Sequence, residues 1–119
     1  MNAIPSRNKR LKLSKIKNDF YFYNYQKRMS KIVQMAVDSI YNINDGFSEN
    51  QIINANGINF STENSWISFT ENLINSLPDA PVISITNEEM CFMFRNYEFK
   101  ITHDGEQLYI KGKYSQIIN

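Results

Sequence analysis

Apolar positions in this chain keep two different periods, and the change from one to the other marks out the fold. In the first half, Phe22, Tyr25, Met29, Ile32 and Val33, Ala36, Ile40 and Ile43 recur at steps of three and four. That spacing returns to one side of a helix with about 3.6 residues per turn, so it predicts a long amphipathic helix with a single apolar stripe. Asp19 is placed to cap its start, and Asp45-Gly46 to stop it. Residues 1–18 hold only Ile4, Leu11, Leu13 and Ile16, at no sustained period, and read as an N-terminal arm. The expected organisation is an arm over residues 1–18 and one domain over residues 19–119.

Between residues 50 and 60 two readings compete. Asn56-Gly57 flanked by Ile52-Ile53 and Ile58 is a hairpin signal, because both central residues of such a turn need positive φ. Ser48 with Gln51 three residues on could instead open a short helix that Gly57 ends. The hairpin is the favoured of the two. Ser61 or Thr62 then caps a second helix whose apolar face is Trp66, Phe69 and Thr70, Leu73 and Ile74, and Leu77, with Pro78 and Pro81 ending it.

Beyond Pro81 the period drops to two. Ile83 and Ile85, Phe92 and Phe94, Phe99 and Ile101, then Leu108 and Ile110 each fall on one side of a strand, with polar residues such as Glu98, Lys100 and Thr102 on the other. Such alternation describes an antiparallel sheet with one covered face and one wet face. Asn87-Glu88-Glu89 and His103-Asp104-Gly105-Glu106 supply turns. The expected fold is α+β: two amphipathic helices on one face of a four-stranded antiparallel β-meander, preceded by a basic N-terminal arm.

Charge changes this picture more than composition does. Nine cations, Arg7, Lys9, Arg10, Lys12, Lys15, Lys17, Lys27, Arg28 and Lys31, stand against the single acid Asp19 in residues 1–31. The rest of the chain has four cations and eleven acids, so the overall +1 is a cancellation of two opposite halves. A cationic segment this dense steers encounter with something acidic and gains from releasing its counterions. Composition adds less. At 42% hydrophobic residues the chain can build a core. The single Cys91 rules out an internal disulfide framework and fits a reducing, cytoplasmic setting. No stretch approaches the roughly 18 apolar residues of a membrane span, and the start lacks the apolar core of a secretory signal. Sixteen Asn and sixteen Ile suit an AT-rich genome such as that of a phage or mobile element.

Candidate chemistry is sparse. His103 beside Asp104 has the composition of a general-base pair, but the turn around it makes a polar turn residue the better reading. Cys91, in the apolar run Met90–Phe94, reads as a small buried hydrophobe with nothing basic beside it to lower its pKa. One His and one Cys cannot close a zinc site, Glu88-Glu89 reads as solvated, and no phosphate-cradling glycine motif occurs. A non-enzyme without metal or cofactor is therefore expected. The segment with a signal is Phe20-Tyr21-Phe22-Tyr23-Asn24-Tyr25, between Lys15/Lys17 and Lys27/Arg28/Lys31. Cations for a backbone and rings for bases is the combination that binds single-stranded nucleic acid. In a helix, Phe22 and Tyr25 turn to the core, while Tyr21 and Tyr23 stay outside. Trp66, in phase with Phe69 and Leu73, reads as core.

The expected activity is thus binding. The nine cations with Tyr21 and Tyr23 would engage nucleic acid or a ribonucleoprotein complex. The alternative is a small inhibitor or immunity-like protein, of the kind phages and mobile elements carry, that blocks a host protein complex. No membrane partner is expected.

Overall fold

The computed structural model describes the backbone of residues 3–115 and the side chains of residues 23–115. Its first element, α1 (Ala3–Asn44), is one uninterrupted helix, longer than the apolar period alone predicts. Pro5 is accommodated because it lies in the first turn, where backbone N–H groups have no intrahelical partner. Asp19 is therefore an interior residue and not a cap, and the boundary expected between residues 18 and 19 falls inside a continuous helix. Lys, Arg and Leu, which dominate residues 7–17, are good helix formers whether or not they keep an apolar period. At about 1.5 Å per residue such a helix runs to roughly 63 Å. The long axis of the molecule is accordingly 78 Å, against 24 and 22 Å across.

The predicted stop at Asp45-Gly46 is present in detail. Gly46 takes φ +85°, its N–H bonds to Ile43 O, and the Phe47 N–H reaches back to Asn42 O. This reciprocal pair of bonds satisfies carbonyls that the last turn would otherwise leave open.

Five strands follow, one more than the meander accounts for: β1 (Asn50–Asn54), β2 (Val82–Ile85), β3 (Glu89–Phe94), β4 (Tyr97–His103) and β5 (Gln107–Tyr114), with α2 (Glu63–Ser76) between β1 and β2. The sheet order is β1-β5-β4-β3-β2 and every pairing is antiparallel. The segment over residues 50–60 is thus neither of its two expected forms. Asn56 and Gly57 do adopt positive φ, at 52° and 91°, and Ile58 N–H closes the turn onto Ala55 O. The strand entering that turn, however, pairs with distant β5, from Asn50↔Lys111 to Asn54↔Gln107.

Both helices cover one face of the sheet. α1 contributes Met29, Ile32, Val33, Ala36, Ile40 and Ile43, α2 contributes Trp66, Phe69 and Leu73, and the sheet contributes Met90, Phe92, Phe94, Phe99, Ile101, Leu108 and Ile110. Apart from Met90, these are the positions that the two periods pick out. β2 departs from the pattern: Val82, Ile83 and Ile85 all remain exposed. The register between β2 and β3 slips from Val82↔Phe92 to Ser84↔Cys91, which leaves Ile83 as the extra residue of a bulge at the sheet edge. Among the described residues every buried side-chain N or O has a hydrogen-bond partner, including Ser65, whose Oγ lies 2.9 Å from the Tyr25 hydroxyl.

Candidate nucleic-acid interface

Packing of the apolar face of α1 on the sheet turns its polar face outward, and Lys27, Arg28 and Lys31 are on that face. Tyr23, Lys27 and Lys31 are each four residues apart, so they form one row along the helix. All three are exposed, Tyr23 at 62%. Arg28 is exposed beside them, with its guanidinium over the Asn56-Gly57 turn, where Nη1 is 3.3 Å from the point a Cβ on Gly57 would occupy. Among the described residues one ion pair is formed, Lys100 with Glu89 at 3.4 Å, so Lys27, Arg28 and Lys31 have no described acid bound to them. Tyr25 points inward to Ser65, as the helical phase requires. The side chains of Arg7, Lys9, Arg10, Lys12, Lys15, Lys17 and Tyr21 lie outside the described residues.

His103 and Asp104 do not form a dyad. His103 Nδ1 accepts the Gly105 N–H at 3.2 Å, which leaves Nε2 to donate to Asn87 O at 2.9 Å. Its ring packs against Trp66, centroids 4.6 Å apart, and Trp66 donates its own Nε1–H to Thr86 O. Both imidazole nitrogens are thus spent on backbone, and Trp66 is a core residue.

Asp104 works instead on the β4–β5 turn. Oδ1 accepts the N–H groups of Glu106 and Gln107 at 2.9 and 2.8 Å, and Oδ2 accepts the Tyr109 hydroxyl at 2.7 Å. The Tyr109 bond foremost, then the two amides, holds the Asp104 carboxyl below the usual carboxylate range. The same bond to Asp104 raises the Tyr109 phenol.

Cys91 needs correcting on two points. Its side chain lies on the open face of the sheet and is half-buried, and its register partner on β4 is a cation, Lys100. Partial burial, then the Glu89 carboxylate that accepts the thiol proton at 3.4 Å, still pushes the thiol upward. Glu89 for its part is not a free turn residue: it opens β3 and binds both Cys91 and Lys100.

The open face gathers polar and cationic side chains that stand apart in the sequence. Alternation along β4 and β5 puts Phe99, Ile101, Leu108 and Ile110 on the helices and Lys100, Thr102, Tyr109, Lys111 and Lys113 away from them. Lys100 and Lys111 are direct cross-strand neighbours. Arg95, the remaining cation of the second half, is placed differently: it lies over the rings of Tyr41 and Phe94, at 4.9 and 5.1 Å from their centroids.

No protein-family model, curated protein or solved structure matches the chain. No helix among the described residues is long and apolar enough to cross a membrane. No cluster of His, Cys, Asp or Glu among them could hold a metal ion.

Proposed function

We propose that this protein is a non-enzymatic binding module whose basic helix docks on nucleic acid, alone or within a nucleic-acid-containing complex. The observation that carries this is the exposed row Tyr23–Lys27–Lys31, with Arg28 beside it and no described acid engaging any of the three cations. Ammonium groups spaced along a helix suit successive phosphates, and the phenol offers a face on which a base stacks. Arg7, Lys9, Arg10, Lys12, Lys15 and Lys17 extend the same cationic run toward the N-terminus, with Tyr21 a second ring.

Fluorescence anisotropy with a labelled single-stranded 20-mer across a salt series tests the reading. For about six phosphate contacts, log affinity against log salt falls with a slope of several units. Replacing Lys27 and Lys31 together by Gln lowers that slope by about two. Salt-insensitive binding, or none at low salt, overturns the proposal.

A second reading, an inhibitor-like protein that blocks a partner protein, is favoured by one observation. Val82, Ile83 and Ile85 on β2 and Ile67 on α2 are all more than two-fifths exposed, and no charged residue interrupts Ala80–Asn87. Exposed aliphatic surface of this kind fits a protein contact and gains nothing from phosphate. Affinity capture with and without nuclease separates the two: a nuclease-sensitive partner favours the first, and a nuclease-resistant protein lost on Ile83→Lys favours the second.

A further inference from the structure

The Lys100–Lys111 register is a conflict within the fold. Side chains directly opposite in an antiparallel pair have Cβ atoms about 4.5–5.5 Å apart, and like charges there are destabilising. Glu89 relieves Lys100 at 3.4 Å. Lys111 has no such relief: across β1 it faces Asn50, and along its own strand the residues on the same face are Tyr109 and Lys113. Glu98 stands opposite Lys113 in the register, but no ion pair joins them. A cleft of about 760 Å³ adjoins the lysines, its charged lining being Lys100, Lys111 and Lys113 with Glu49 and Glu98.

Tyr109, two residues before Lys111, is held in place. Its hydroxyl donates to Asp104 Oδ2 at 2.7 Å and lies 3.1 Å from the Gln107 side-chain oxygen Oε1, while Ile52, 64% exposed, flanks it on β1. A fixed ring beside Lys111, the one of the two facing lysines that no acid pairs, offers a base its stacking surface and the adjoining phosphate its counter-charge.

We propose that the open face of the sheet, on the side opposite α1, is a second contact surface for the same class of ligand, taking single-stranded nucleic acid with a base on Tyr109 and a phosphate at Lys111, beside Lys100. This rests on the reading of α1 given above and narrows its ligand class. A strand with unstacked bases can lay one on a sheet, whereas in a duplex the base faces are already stacked within the helix.

The test uses the full chain with fluorescein-labelled (dT)20 and a 20-base-pair duplex. Single strand is bound tenfold or more tighter than duplex. Lys111→Gln weakens single-strand binding fivefold or more and lowers the salt slope by about one, while Lys111→Arg restores it. Tyr109→Leu weakens binding with the slope unchanged, and Tyr109→Phe, which keeps the ring, retains it. The melting temperature of Lys111→Gln equals or exceeds that of the wild type, because removing one of two facing charges relieves the free protein; a loss of binding with a lower melting temperature would mark a structural role and overturn the proposal. If the Lys111 and Tyr109 variants bind within twofold of wild type while Lys27→Gln/Lys31→Gln fails, the sheet surface is wrong and the helix reading stands. Equal affinity for duplex overturns the single-strand preference. A wild-type protein that binds neither probe at low salt removes both readings.

Discussion

A side chain at Gly112 would have nowhere to go. Its backbone conformation is ordinary, but a Cβ there would collide with Ile43 Cγ2 and the Phe99 ring, because β5 passes directly beneath the last turns of α1 at this point. Gly112→Ala should therefore cost about 1–3 kcal/mol as overpacking, seen as a lower urea midpoint at unchanged m-value; a neutral substitution would mean that the helix end yields freely. Asp104 makes a prediction of a different kind. Its carboxyl binds a proton less tightly in the folded chain than in the unfolded one, so its contribution to stability is complete above the ordinary carboxylate range, near pH 4. It is lost as pH falls through the depressed folded value. Tyr109 has the opposite sign: its raised phenol contributes below about pH 10 and loses that contribution as pH rises beyond it. Thermal melts of Asp104→Asn between pH 6 and 2.5 should show a flatter acid limb than wild type. An unchanged limb would place the acid sensitivity elsewhere.

Elements whose partners lie nearby in sequence could be read from the chain; those paired at a distance could not. Phe92, Phe94, Phe99, Ile101, Leu108 and Ile110 alternate within strands joined by short turns, and all six are buried as the period requires. Ile52-Ile53 belong to a strand whose neighbour is β5, more than fifty residues on, so local pattern offered a hairpin with the wrong partner or a short helix, and neither formed. Ile83 and Ile85 alternate just as well, yet a bulge at the sheet edge and an open groove between β2 and α2, lined by Thr70, Ile74, Val82 and Ile85, leave them in solvent. Their burial depended on what lies over the strand, which no period records. The start of α1 was hidden for another reason: residues 1–18 keep no apolar period, and their Lys, Arg and Leu favour a helix without one. The candidate site divides in the same way. The cations of α1 are consecutive in sequence and visible there, whereas Lys100, Lys111 and Tyr109 become neighbours only through the β4–β5 register. Ile83→Lys is expected to leave the melting temperature within a few degrees, because that side chain is already 54% exposed. A large loss would show that β2 is covered in solution.

At the scale of the molecule, a cationic helix extends from an anionic body, and the two ends should respond separately to truncation. The packed face of α1 among the described residues begins at Tyr25, and its first fully buried side chain is Met29. Deleting residues 1–18 should accordingly leave the melting temperature within a few degrees and reduce nucleic-acid affinity tenfold or more, as read by thermal melts and anisotropy. Were the segment instead a clamp across the acidic body, deletion would lower stability at low salt and lose that effect at high salt, where screening shortens the reach of charge. The strand order has a further consequence, in time and not in space. β2 to β5 can zip together through short turns, but β1 must wait for β5, and closing so long a loop is entropically slow. The hairpins should organise first: Ile101→Val should give a φ-value above about 0.5 and Ile53→Val one near zero in stopped-flow chevrons. During synthesis, then, Ile53 and the stripe of α1 above it stay unsheltered until the chain has emerged through Tyr114, and a chaperone that recognises exposed aliphatic segments has that interval in which to bind them.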